Sequence, residues 1–252
     1  MQQSKYKQFL ANMTSECFTT PFGESLPYRL YTPPNDRING LIPLLFFLHG
    51  AGERGLDNTA QLIHGVGSIL AYLQSSGTAA YVIAPQCPEG MQWVNTPWDA
   101  LAHTMPEYPS LPMKLVLELI AQKLKELPIN PDRIYVTGLS MGGYGTWDAL
   151  QRQPDRFAAG VAVCGGGDAQ MAKKLKSIPI RVYHGALDNA VPVERSRTMV
   201  AAIQAIGGKV TYKEYPEVWH NVWEQAYADP DLYPWLFAQR RKVKQTRTIH
   251  PS

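Results

Sequence analysis

The chain has 252 residues, 45% of them hydrophobic and 18% charged, with 24 lysines and arginines against 21 aspartates and glutamates for a net charge of +3. That profile excludes an intrinsically disordered chain, and the length suffices to bury a sizeable core. The charge imbalance is too small to argue for a nucleic-acid or anionic-membrane partner, and the longest apolar run, residues 41–48, falls far short of a membrane span.

The elements follow in chain order. Residues 16–31 read as an antiparallel opening with a turn at 22–25. The run 41–48 is apolar at nearly every position, as a strand covered on both faces should be. A helix is expected over about 59–74, weakened by Gly65 and Gly67, then a strand at 80–84. Residues 86–112 are irregular. Leu115, Leu119 and Leu124, opposed by lysines, mark an amphipathic helix over 113–127. Strands at 133–137, 157–164, 180–183 and 210–215 alternate with helices reaching to 153 and over 169–175 and 193–206; Asp168 is placed to cap the second of these. Helical pieces near 222–228 and 232–241 end the chain. The alternation predicts an α/β fold, a mostly parallel sheet with helices on both faces and no large lid. One domain is expected, with 1–15 and 242–252 as peripheral tails, in a monomer or small homo-oligomer.

Cys17, Cys87 and Cys164 show neither CxxC nor Cys/His spacing, so neither a paired disulfide framework nor a metal is expected, and no cofactor is called for. Residues 1–11 lack the apolar segment of a secretory leader. That leaves the compartment open: cytoplasmic, or secreted with the leader absent from this sequence. The cluster Arg240, Arg241, Lys242, Lys244 and Arg247 reads as a solvated tail rather than a phosphate-binding arm.

The chemistry concentrates in Gly138-Leu139-Ser140-Met141-Gly142-Gly143, a Gly-x-Ser-x-Gly turn between a strand and a helix. A serine nucleophile must sit on a tight turn with its hydroxyl exposed, and the chain passing beside it leaves no room for side chains two residues away on either side. The following helix directs backbone N–H groups at developing negative charge. Leu48-His49-Gly50-Ala51-Gly52 is placed to supply the second half of an oxyanion hole. The donors are assigned to the N–H groups of Ala51, with Gly52 as fallback, and Met141; Gly50 and Gly52 let substrate approach. His49 orders the loop, and Glu53 and Arg54 either shape the rim or form a surface pair. Asp188 follows the strand 180–183 and is preferred as the acid over Asp168. His220 follows the strand 210–215 and is preferred as the base over His184; His64 and His103 precede the serine, and His250 is in the tail. The order Ser140, Asp188, His220 is the one this arrangement requires.

Together HGAGERG, GLSMGG, HGALDNAVP and VWHNVW, with Pro85-Gln86-Cys87-Pro88 and Leu232-Tyr233-Pro234-Trp235-Leu236, resemble an esterase branch of the α/β-hydrolases over about residues 28–241. That branch groups feruloyl and acetyl-xylan esterases, polyhydroxybutyrate depolymerase-like enzymes and dienelactone-hydrolase-like proteins, some labelled predicted peptidases. The resemblance implies a lidless carboxylic ester hydrolase acting through an acyl-enzyme on short-chain or aryl small-molecule esters. A serine peptidase or an acyltransferase would use the same parts. Trp93 and Trp219 are assigned to the substrate pocket, although Trp93 and Trp98 could equally pack their loop.

Overall fold

A computed structural model describes residues 2–241. Lys242, Lys244, Arg247 and His250 lie outside the described residues. Eight strands form one sheet: β1 (Met13–Thr19), β2 (Ser25–Tyr31), β3 (Ile42–Leu48), β4 (Tyr81–Pro85), β5 (Ile129–Leu139), β6 (Ala159–Val163), β7 (Ile180–Gly185) and β8 (Val210–Tyr215). Their spatial order is β1-β2-β4-β3-β5-β6-β7-β8. The β1–β2 and β2–β4 pairs are antiparallel and every other pair is parallel.

β3 explains why the sheet is covered twice. All seven of its residues are buried. Successive side chains point to opposite faces, so Leu44, Phe46 and Leu48 enter one core while Leu45 and Phe47 enter the other. The first core is closed by α3 (Leu111–Glu126), α4 (Met141–Arg152) and α5 (Glu194–Ala205), through residues such as Leu119, Trp147 and Met199. The second is closed by α2 (Val66–Ser76) and the C-terminal helices α6 (Trp223–Ala226) and α7 (Leu232–Ala238), through Ile69, Leu236 and Phe237. α3 starts where Ser110 accepts a hydrogen bond from the Met113 N–H at 3.2 Å, with a proline in its first turn.

Four expectations need correction. The helix expected over 59–74 is a 3₁₀ turn at Ala60–Leu62 followed by α2. Gly65, at φ 75°, breaks it, and a Cβ there would stand 2.5 Å from the Phe47 ring. The segment read as an N-terminal tail contains α1 (Gln2–Leu10) and the start of β1. Phe9 and Leu10 pack on the second core, and Met13 is buried. Arg241 is docked rather than solvated: its guanidinium donates to Asp132 Oδ1 at 2.8 and 3.1 Å and to the Asp155 carbonyl at 2.5 Å. Residues 169–175 are 3₁₀ rather than α, and Asp168 does cap them, accepting from the Gln170 N–H at 2.9 Å. Among the described residues no helix is long and apolar enough to cross a membrane.

Because β3 joins the two cores, truncating it should be felt through the whole sheet. Phe46→Ala removes a fully buried ring and should lower the unfolding free energy by about 3–5 kcal/mol, read from urea or guanidinium denaturation.

Candidate active site

At the C-terminal edge of the sheet, β5 is followed by Ser140, which adopts φ 53° and ψ −119° before α4 begins. A serine held in this region carries backbone strain, which the surroundings must enforce. They do so by contact. A Cβ on Gly142 would overlap the Leu48 carbonyl at the end of β3, and a Cβ on Gly138 would overlap the Gly142 carbonyl. The Ser140 N–H donates to Val163 at the end of β6 at 2.9 Å, which ties the turn to a second neighbouring strand.

Ser140 Oγ lies 2.8 Å from His220 Nε2, and His220 Nδ1 lies 2.7 Å from Asp188 Oδ2. A carboxylate only accepts, so the Nδ1–H donates to Asp188 and leaves Nε2 free to accept the serine proton. Gly185 makes this approach possible: a Cβ there would collide with the Val218 carbonyl in the loop that carries His220. The side chain of Asp188 is fully buried. Burial alone would raise its pKa, but hydrogen bonds from His184, His220 and the Val191 N–H outweigh that and hold the carboxyl far below the ordinary carboxylate range. Its Oδ1 accepts from Ala190 and Val191 at 2.9 Å each. His184, the rival base, therefore stands behind the acid, with Nε2 3.2 Å from Asp188 Oδ2 and Nδ1 2.7 Å from Ser196 Oγ. Asp168, the rival acid, caps its turn and accepts from the Met105 N–H.

The loop 49–54 faces Ser140. Met141 opens α4 and Ala51 opens the turn Ala51–Glu53, so neither N–H has an acceptor within its own element. His49 braces the loop. Its Nδ1–H donates to the Gly50 carbonyl at 2.6 Å, and its Nε2 accepts from the Cys87 N–H at 2.8 Å. The next residue back, Gln86, holds the loop from below, donating to the Glu53 carbonyl at 3.1 Å and accepting from the Asn58 N–H at 2.6 Å. This gives the Pro-Gln-Cys-Pro segment a physical role. Arg54 donates to the Ala51 carbonyl at 2.8 Å and does not pair with Glu53.

A cleft of about 410 Å³ opens in front of Ser140 and is lined by residues that include Gly50, Gly52, His220, Trp98 and Trp223. Trp93 is not part of its wall. It is fully buried beneath the loop, its indole N–H donating to the His49 carbonyl at 3.0 Å, because Gly145 and Leu48 leave a ring-sized space there. Trp219 is likewise misassigned: it is 53% exposed and lies outside the cleft lining. The aromatic walls are Trp98 and Trp223, and the second tryptophan of VWHNVW, three residues after His220, was the available signal. Glu53 and His64 also line the cleft, with His64 Nε2 3.7 Å from Glu53 Oε1. Burial raises the Glu53 carboxyl, only partly offset by His64 and nearby backbone N–H groups.

Cys164, Asp188 and His220 each offer one possible metal-ligand atom within 4.8 Å of the others. The Asp188 and His220 atoms are engaged with one another, and burial, with Asp188 nearby, raises the Cys164 thiol and keeps it protonated.

The parallel sheet, the strained elbow and the Ser-His-Asp contact define an α/β-hydrolase. The chain belongs to the phospholipase/carboxylesterase family, whose model matches residues 41–230. A thermostable esterase of known structure is 38% identical with a TM-score of 0.83, covering 93% of this chain and 64% of its own. A probable carboxylesterase SOBER1-like of Arabidopsis thaliana is 27% identical over 52% of this chain and 53% of its own length. A bifunctional acetylxylan esterase/xylanase, XynS20E of Neocallimastix patriciarum, is 29% identical over 67% of this chain and 22% of its own. The chain thus spans about half the length of the first of these curated relatives and less of the second.

His49 carries a pH signature. Burial pushes its pKa from 6.5 down to about 4, against a smaller opposing effect of its bond to Gly50. A proton on Nε2 would also face the Cys87 N–H. As pH falls below 6.5 the unfolded chain takes up a proton that the folded chain refuses until about pH 4. Stability should therefore rise with pH across 4 to 6.5, with about 3 kcal/mol attributable to His49. Urea denaturation at intervals across that window checks this, and a folded His49→Gln variant should show a shallower slope.

Proposed function

We propose that the protein is a carboxylic ester hydrolase in which Ser140, His220 and Asp188 act as nucleophile, general base and orienting acid, on one hydrolase domain. The observation that carries the reading is the continuous hydrogen-bond path from Ser140 Oγ through His220 to Asp188, 2.8 and 2.7 Å long. His220 takes the serine proton as Ser140 attacks the ester carbonyl. The N–H groups of Ala51 and Met141 receive the oxyanion, a contribution typically worth 10²–10³-fold per donor. His220 then returns the proton to the leaving alkoxide, and water repeats the sequence on the acyl-enzyme. Asp188, ionised and buried, holds the imidazole tautomer and stabilises its cation.

Family membership and the similarity to a thermostable esterase support ester chemistry. A cleft of about 410 Å³ walled by Trp98 and Trp223 supports short-chain or aryl esters over long lipid chains. The purified protein should cleave p-nitrophenyl acetate and butyrate faster than the laurate. Folded Ser140→Ala should lose on the order of 10⁶-fold in kcat. Retained activity in that variant would remove Ser140 from the mechanism, and cleavage of an aminoacyl p-nitroanilide alone would assign the protein to the peptidases.

A further inference from the structure

Two imidazole rings converge on one oxygen of Asp188. His220 Nδ1 lies 2.7 Å from Oδ2, and His184 Nε2 lies 3.2 Å from the same atom. The side chains of His184 and Asp188 are both fully buried. His184 Nε2 also meets the Val191 carbonyl at 3.1 Å. Both of these neighbours only accept, so Nε2 carries a hydrogen and shares it between them. That fixes the other nitrogen. Nδ1 lies 2.7 Å from Ser196 Oγ, a fully buried hydroxyl on α5 whose other neighbour is the Gly165 carbonyl at 3.2 Å. With the hydrogen on Nε2, a neutral ring uses its Nδ1 lone pair to accept from Ser196. Neither His184 nor Ser196 lines the cleft, and the acyl-transfer steps given above use neither.

We propose that Ser196 and His184 are positioning residues that extend the triad inward and set, through Asp188, both the orientation and the basicity of His220. This rests on the assignment of Ser140, His220 and Asp188 given above. The first argument is geometric. Oδ1 of Asp188 accepts from the Ala190 and Val191 N–H groups at 2.9 Å each, while Oδ2 faces the two rings, so the carboxylate cannot turn without losing contacts. The bond from His184 to the Val191 carbonyl ties the segment that supplies those N–H groups back to β7. The second argument is electrostatic. The His184 N–H places partial positive charge beside Oδ2 and draws off part of the pull that the carboxylate exerts on a His220 cation. A protonated His220 has no lone pair for the Ser140 hydrogen, so His184 keeps the base in its working form at lower pH than Asp188 alone would allow. The other ionisable groups packed around β7 are engaged elsewhere. On β8, Glu214 stands opposite His184 but bonds Arg197 at 2.6 and 2.9 Å, and Lys213 pairs with Asp229 at 3.3 Å. On α5, Arg195 bonds His103. Cys164, at the end of β6, is held protonated by burial and by Asp188, and its Sγ meets the His220 carbonyl at 3.6 Å.

The test is the pH dependence of kcat and kcat/KM for p-nitrophenyl acetate, followed at the isosbestic wavelength of p-nitrophenol. It is run on the wild type, His184→Phe, His184→Gln and Ser196→Ala, with circular dichroism at each pH to confirm the fold. His184→Phe keeps a ring and deletes both nitrogens. It should lower kcat about tenfold with little change in KM. It should also move the midpoint of the acid limb up by about half a pH unit or more. Ser196→Ala removes only the hydroxyl that holds the ring's tautomer and should move the midpoint the same way by less. His184→Gln restores an N–H that can reach the same acceptors and should bring the midpoint back towards the wild type. Variants that lose activity at every pH with the acid limb unmoved, or a midpoint that falls, would overturn the proposal and leave His184 a packing residue. If His184→Phe does not fold, Ser196→Ala decides by the same two outcomes. Ser140→Ala is run alongside. If it is inactive and the acid limb does not move in the other variants, the role of His184 alone fails; if it still hydrolyses the ester, the assignment of the nucleophile fails and this inference with it.

Discussion

At residue 142 the backbone of α4 passes against the Leu48 carbonyl at the end of β3, closer than any side chain would permit, and the parts of the cleft are registered from that contact. The strained Ser140 is held there because the chain on either side of it has nowhere else to go. The same contact brings the loop that follows β3 in front of the serine, so Ser140 and the backbone of residues 50–52 are positioned by one packing event. Strain at a reactive residue persists only when the surroundings over-determine it. Here Leu48, Val163 and the Gly138–Gly142 approach each fix the turn independently.

A second layer fixes the loop from below. His49, Gln86 and Trp93 are all fully or almost fully buried, and the side chain of each bonds to backbone groups, the N–H of buried Cys87 among them. Trp93 approaches His49 at 5.2 Å edge-on. Such a layer gives rigidity rather than chemistry. It also dictates the tautomer of His49, because one ring nitrogen meets a carbonyl and the other meets an N–H. A neutral imidazole satisfies both; an imidazolium cannot. The geometry at His220 differs, since its Nδ1 faces a carboxylate.

Much of this was legible in the residues, for identifiable reasons. The apolar run 41–48 announces a strand covered on both faces, and the glycines around Ser140 have no other economical explanation. The spacing from Ser140 to Asp188 and His220 predicts their order, and the geometry brings those side chains into contact. What was hidden is what depends on direction. Periodicity does not say that Trp93 turns inward while Trp98 faces the cleft, since both sit in an irregular segment. Trp219 and Trp223 straddle His220, and only the start of a short helix at Trp223 decides which one lines the wall. α1 was missed because Phe9 and Leu10 are too few apolar residues to announce a helix without the α2 surface they cover. The 3₁₀ turn before α2 follows from a contact between Gly65 and Phe47 that no local pattern contains.

The cleft is asymmetric in polarity. On the acid side every atom of Asp188 is engaged, and the carboxyl sits well below its ordinary range despite burial. Across the cleft Glu53 is also buried, yet burial prevails and its pKa rises. The difference lies in the donors each receives: Asp188 has two imidazoles and two backbone N–H groups within hydrogen-bond reach, whereas Glu53 has His64 at 3.7 Å and the N–H groups of Gly50 and Glu53, which only partly offset burial. That imbalance separates the two buried carboxyl groups into one that is fully engaged and held ionised and one at which burial prevails.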